Sequence, residues 1–258
     1  MPFDILYILS GACVGFIVGL TGVGGGSLMT PILVLLFGIH PATAVGTDLL
    51  YAAATKGIGS LVHGWKRNIA WRVVGLLATG SVPAAATTLF ILSQLGPQSP
   101  QGARVITVVL GCALLLTATL LIFRKWLMKL RGIASTPDPL REALLTILTG
   151  AVIGLLVSIT SVGAGAIGVT ALLMLYPKFS IVRVVGTDIA HAVPLTLVAG
   201  LGHWFMGSVD LTMLVSLLMG SIPGIVLGSY SAPHVPDRSL RIILAVVLTA
   251  VGTKLILS

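Results

Sequence analysis

Charge is what this chain has least of: Asp, Glu, Lys and Arg together make up 9% of its 258 residues, against roughly a quarter in soluble domains. With 56% hydrophobic residues and a mean hydropathy of +1.10, that scarcity excludes a soluble globular domain and leaves a polytopic membrane protein. Cysteine is nearly absent as well. Cys13 and Cys112, the two present, both lie in apolar runs, so they read as small buried hydrophobes; neither a disulfide framework nor a metal site is indicated. The start, Met1-Pro2-Phe3-Asp4-Ile5, lacks the basic stretch and small-residue cleavage site of a signal peptide, and its apolar run is expected to be retained as structure. No H-E-x-x-H or G-x-S-x-G pattern offers a hydrolase route. The net charge of +8 does not point to nucleic acid, because nearly all the Lys and Arg fall in short loops between apolar segments, where they report membrane topology.

Repetition is what the chain has in abundance. Val45-Gly46-Thr47-Asp48 returns as Val185-Gly186-Thr187-Asp188, His63 as His203, and Gly80-Ser81-x-Pro83 as Gly220-Ser221-x-Pro223, all at an offset of 140. Upstream, Gly11, Gly15, Thr21, Val23, Gly24 and Gly26 recur as Gly150, Gly154, Thr160, Val162, Gly163 and Gly165 at an offset of 139, so one residue was inserted between the two blocks. Duplicated apolar spans that carry a polar, Gly-broken stretch at matching places point to a transporter with its substrate site at the breaks.

The fold class that follows is all-α, with two inverted repeats, each a broken helical hairpin followed by three transmembrane helices. Six segments are long enough to cross, at about 42–63, 70–94, 103–123, 183–203, 210–230 and 240–257, since about 20 helical residues span the hydrocarbon core. Ahead of each trio stands a broken pair: Ile5–Leu20, the break 21–27 and Leu28–Phe37 in one half, then Leu140–Ile159, the break 160–165 and Ala166–Tyr176 in the other. Irregular backbone at membrane depth is tolerated only under protein or water cover, so each pair reads as a hairpin with its tip inside the protein. Basic residues cluster at Lys66, Arg67 and Arg72, from Arg124 to Arg141, at Lys178 and Arg183, and at Arg238 and Arg241; these loops are expected in the cytoplasm. Loops 95–102 and 204–210, poor in basic residues, then face outward. That bookkeeping closes if the two hairpins enter from opposite faces. The domains are accordingly residues 1–123, a first transmembrane repeat; 124–141, a cytoplasmic linker with Pro and Asp signalling a helix start; and 142–258, the second repeat.

Candidate chemistry collects at the breaks. The run Gly22-Val23-Gly24-Gly25-Gly26 is no nucleotide motif, for want of a strand and a soluble βαβ unit around it. Two readings remain: small residues that let helices pack closely, or helix starts at Gly26, Ser27 and Gly165 whose free N–H groups and positive dipole ends favour an anion. Asp48 and Asp188, inside spans, read as functional or as acceptors for backbone N–H groups freed at the breaks. Lys56, whose counterpart is Thr196, breaks the symmetry. A bound anion, another helix or snorkelling would each satisfy its ammonium. His191, three residues after Asp188 and on the same helical face, is the better candidate for titration near neutral pH. His63 and His203, beside Trp residues at span ends, read as interfacial anchors rather than proton carriers.

The block Gly11-x-x-x-Gly15, Gly19 to Ser27, Pro31 and Val45-Gly46-Thr47-Asp48 resembles the TauE/SafE family of sulfite and organosulfonate exporters, over essentially the whole chain. The second repeat departs from it, with Ser161 and Ala164 in place of Gly22 and Gly25. The resemblance implies a carrier, not an enzyme, in the bacterial cytoplasmic (inner) membrane. It would export a sulfonate such as sulfoacetate, or sulfite, by alternating access, coupled to a proton or another ion. The substrate is expected between the tips, touched by Thr21, Gly24, Gly25, Gly26, Ser27, Thr160, Ser161 and Gly165, with Lys56 supplying charge and Asp48, Asp188 and His191 coupling or structural. No cofactor or metal is expected; lipid and a small anion are the partners, and the oligomeric state is open, a homodimer included. An anion channel, a carrier for a non-sulfur carboxylate and an intramembrane aspartyl enzyme built on the two Asp residues are the rival readings.

Overall fold

The computed structural model describes residues 4–21, 26–130, 139–231 and 237–257. Those residues form ten helices and no strand, as backbone in an apolar solvent must satisfy its hydrogen bonds within its own segment. The helices are α1 (Ile5–Thr21), α2 (Gly26–Leu35), α3 (Pro41–Trp65), α4 (Trp71–Leu95), α5 (Pro100–Leu130), α6 (Pro139–Thr160), α7 (Ala166–Leu175), α8 (Ile181–Phe205), α9 (Leu211–Ser231) and α10 (Asp237–Leu257). Proline opens α3, α5 and α6, where its missing N–H has no partner to lose. Inside α4, Thr87 donates its hydroxyl to the Pro83 carbonyl one turn back at 2.8 Å, the usual i−4 bond of a helical threonine.

The order α1 to α5 repeats as α6 to α10, and the packing repeats reciprocally. α1 lies along α9 and α6 along α4, while α3 pairs with α8 and α5 with α10. At the first two seams bare glycine backbone touches backbone: Gly11 and Gly15 sit against Leu217 and Ser221, and Gly150 and Gly154 against Leu77 and Ser81. The contacts advance in step along both helices, so each pair runs parallel. Close approach of small residues is how helices associate where hydrophobic driving force is missing. Large apolar side chains face outward all around, Phe90, Leu148, Val246 and Phe205 among them, a surface only lipid can cover.

Three expectations change. Five helices among the described residues are long and apolar enough to cross, at 71–95, 100–123, 139–160, 181–205 and 211–228, a set that takes in α6 and leaves out α3. α6, read as a hairpin arm, has 22 residues, enough for a full crossing, whereas α3 is diluted by Asp48, Lys56 and its glycines. Helix replaces loop at the linker's edges, because α5 continues to Leu130 and α6 starts at Pro139; the remainder, 131–138, lies outside the described residues. Cys13 and Cys112 are exposed, not buried, since an apolar side chain in a membrane has no cause to hide from lipid.

Candidate substrate site

The second hairpin tip is built by three backbone positions that ordinary residues avoid. Ser161 has φ of 60°, and Gly163 and Gly165 have φ of 135°, a region closed to side chains with a Cβ. Through them the chain leaves α6 and re-enters helix at Ala166, with Gly165 as the N-cap residue. Thr160 holds the bend: its hydroxyl donates to the Leu156 carbonyl at 2.6 Å and accepts from the Val162 N–H at 3.1 Å. Ser161 is buried, with its hydroxyl beside the Asp48 carboxylate of α3.

Around this tip the two central helices place their charges. Lys56 of α3 donates from Nζ to the Ala164 carbonyl at 3.0 Å, so the ammonium reaches across to the break of the other repeat. Its charge also acts on Asp48, Asp188 and His191. Asp48 is fully buried; its Oδ2 accepts from the Thr30 hydroxyl of α2 at 2.6 Å, and its Oδ1 has no partner. Asp188 differs. Its Oδ1, also without a partner, rests against the α carbon of Gly168 in α7, while Thr170, 140 residues after Thr30, turns inward and donates to Ala166 of its own helix at 2.7 Å. Any side chain at position 168 would displace the Asp188 carboxylate.

The first tip is only partly described. Thr21 ends α1 and Gly26 opens α2, with Ser27 buried in its first turn; Gly24 and Gly25 lie outside the described residues. The expected site residues that the structure brings together are Lys56, Asp48, Asp188, His191, Ser161 and the 160–165 break.

The rest of the repeated motif has a structural task. Thr47 and Thr187 accept the N–H groups of Asp210 and Ala70 at 3.1 and 3.0 Å, each tying α3 or α8 to the start of α9 or α4. Gly46 leaves room for the Ser208 carbonyl and the His203 side chain, and Gly186 for the Asn68 carbonyl and the His63 ring. His203 is therefore no interfacial anchor: it is fully buried and its Nε2 meets the Ser158 carbonyl at 2.9 Å. His63, half-buried, packs in the equivalent place. Gly-Ser-x-Pro also gains a role. Tyr51 donates to Ser221 Oγ at 2.6 Å, and His191 Nε2 meets Ser81 Oγ at 2.8 Å, one inter-repeat hydrogen bond for each copy. The repeated serines were visible in the sequence; their partners, 170 and 110 residues away, were not.

Residues 7–255 match the family model described as sulfite exporter TauE/SafE. The chain belongs to this family. It is 41% identical over 251 residues to the "Probable membrane transporter protein YjnA" of Bacillus subtilis (strain 168), covering 96% of this chain and 98% of that one. It is also 29% identical to YdhB of the same strain, covering 92% and 93%, and 28% identical to a probable membrane transporter protein of Xylella fastidiosa (strain 9a5c), covering 88% and 84%. No solved structure matches it. The TauE/SafE chain is thus a multi-pass transporter of the bacterial cytoplasmic membrane and not an enzyme.

Proposed function

We propose that the transporter exports a small sulfur-containing anion, a sulfonate such as sulfoacetate or else sulfite, by alternating access at the hairpin tips. The observation that carries this reading is Lys56: the one ammonium at this depth among the described residues reaches from one repeat to the broken backbone of the other, beside the N-terminus of α7. An oxyanion there gains a charge-assisted contact and the positive end of a helix. The family description, a sulfite exporter, favours sulfur oxyanions among the anions that such a cradle would take.

Charge balance argues for coupling. Two buried carboxylates, Asp48 and Asp188, face one ammonium; adding an anion deepens the deficit of positive charge, and an uncompensated buried charge costs several kcal/mol. A proton or metal cation carried with the substrate removes that cost. The repeats in this reading are inverted, with both hairpins entering from opposite faces. Its support is the antiparallel run of the equivalent helices α3 and α8, where Leu50 meets Gly200 and Gly59 meets Ile189, together with the clustering of basic residues beside the starts of α4 and α8.

Proteoliposomes tested with labelled sulfite, sulfoacetate, taurine and non-sulfur carboxylates should show accumulation of the sulfur anions. Lys56→Met should weaken their binding by roughly 10- to 100-fold, the loss of a charged hydrogen bond, with expression near normal. If affinity is unchanged while thermal stability falls, Lys56 serves the structure alone. In that case Lys56→Met combined with Asp188→Asn should recover folding, because the stranded carboxylate is gone.

A further inference from the structure

Away from the hairpin tips, a cavity of about 490 Å³ opens where α4, α6 and α8 all begin. Arg72, Lys178 and Arg183 line it, with Glu142 as the single acid and Tyr176 and Phe179 forming an aromatic wall. Arg183 lies over the Phe179 ring, 4.5 Å from its centroid, which fixes the guanidinium at the cavity edge. Three helix N-termini bring their positive ends to the same place; Ser180 caps that of α8, accepting the Arg183 N–H at 3.3 Å, while the residue ahead of α4, Ala70, offers no side-chain cap.

The pseudo-equivalent place at the opposite end of the bundle, where α9, α1 and α3 begin, is neutralised from within. Asp210 accepts the Met213 N–H at 2.9 Å and Asp4 accepts the Leu6 N–H at 2.8 Å, while Thr212 and Thr43 stand where Arg72 and Arg183 stand here. One scaffold therefore exists in two electrostatic versions. The acidic one is complete in itself; the basic one has surplus positive charge and space.

We propose that this cavity binds the phosphate of an anionic phospholipid. Arginine forks match phosphate oxygens two at a time, and basic pockets between helices at a membrane surface suit such headgroups. The rim supports a lipid over a free ion: Trp71, Leu140, Ile181 and Val182 are exposed beside the opening, an apolar path for acyl chains. Because α4 belongs to the first repeat and α6 and α8 to the second, the headgroup braces a contact between the halves.

The test uses the full chain in mixed micelles, titrated with phosphatidylglycerol or phosphatidylcholine and read by native mass spectrometry. Phosphatidylglycerol should bind at least about tenfold more tightly, and Arg72→Gln/Lys178→Gln/Arg183→Gln should weaken it about 100-fold, at roughly fivefold per cation. Glu142→Gln, which leaves every cation in place, should tighten it several-fold. Displacement by millimolar glycerol phosphate identifies the phosphate alone as the ligand, and its failure to displace shows that the acyl chains contribute; the site stands in either case. Equal binding of the two lipids, or undiminished preference in the triple variant together with no gain in Glu142→Gln, overturns it.

Discussion

Ser161 carries backbone strain at the second tip. Its backbone takes the left-handed conformation at φ of 60°, which costs a residue with a Cβ about 1–2 kcal/mol, while its buried hydroxyl lies beside the Asp48 carboxylate. The first repeat has Gly22 at this position. Strain of this kind persists where the surroundings impose it, and substrate sites are common hosts. Ser161→Gly should therefore raise stability by about 1 kcal/mol in a thermal melt, while weakening substrate binding by roughly five- to tenfold, the worth of one hydrogen bond. Higher stability with unchanged affinity would take the hydroxyl out of the substrate site; lower stability would show that the strain is not there. Asp48 and Asp188 make the same point about asymmetry within symmetry. Both come from Val-Gly-Thr-Asp, yet one is held by Thr30 and the other only abuts Gly168, so the two copies of one motif need not perform one task.

At the scale of helices, the seams α1 with α9 and α4 with α6 decide how the halves meet. Gly154 touches the backbone of Ser81, whereas Gly75, on the same α4 helix as Ser81, has nothing within 4 Å of where a Cβ would stand. Gly154→Val should thus force the seam apart and abolish folded protein in size-exclusion chromatography, with Gly15→Val doing the same at the mirror seam. Gly75→Ala, by contrast, should be neutral or stabilise by up to about 1 kcal/mol. Normal folding of Gly154→Val would dissolve the seam as the basis of the fold. Such seams were half legible beforehand. The repeated Gly11, Gly15, Gly150 and Gly154 were visible as a recurrence; that they make close contacts, and with which helix, was hidden, because pairing between residues some 70 or 200 apart leaves no local pattern. Periodicity misled over α6 for a related reason: apolar residues continue so evenly through Leu140–Ile159 that a hairpin arm and a full span look alike. The break itself was legible as Gly, Ser and Thr in an apolar run, but the reach of Lys56 to Ala164 depended on how α3 crosses α7's approach, which only three dimensions reveal.

For the whole molecule, the alternating access proposed above draws on inverted repeats, since a site between inverted halves can open to either face by exchanging their conformations. Lys66 and Met206 occupy equivalent turns, 140 residues apart, just after α3 and α8. Each turn holds a residue of positive φ, Arg67 at 54° and Gly207 at 70°, and each closes with an N–H to the preceding histidine carbonyl, Asn68 to His63 at 3.0 Å and Ser208 to His203 at 2.9 Å. Two turns so alike in backbone differ in charge: one carries Lys66 and Arg67, the other no basic residue. Positive charge is retained on the cytoplasmic side, so equal structures on opposite faces explain the difference, whereas equal structures on the same face leave it without cause. With Cys13 and Cys112 replaced by serine, because both are exposed and would react, Lys66→Cys should label only when a membrane-impermeant maleimide has access to the cytoplasmic face. Met206→Cys should label only from outside. Labelling of both from the same side would make the repeats parallel, and the two hairpin tips would then have to be reached by a motion other than exchange between halves related by a twofold axis in the membrane plane.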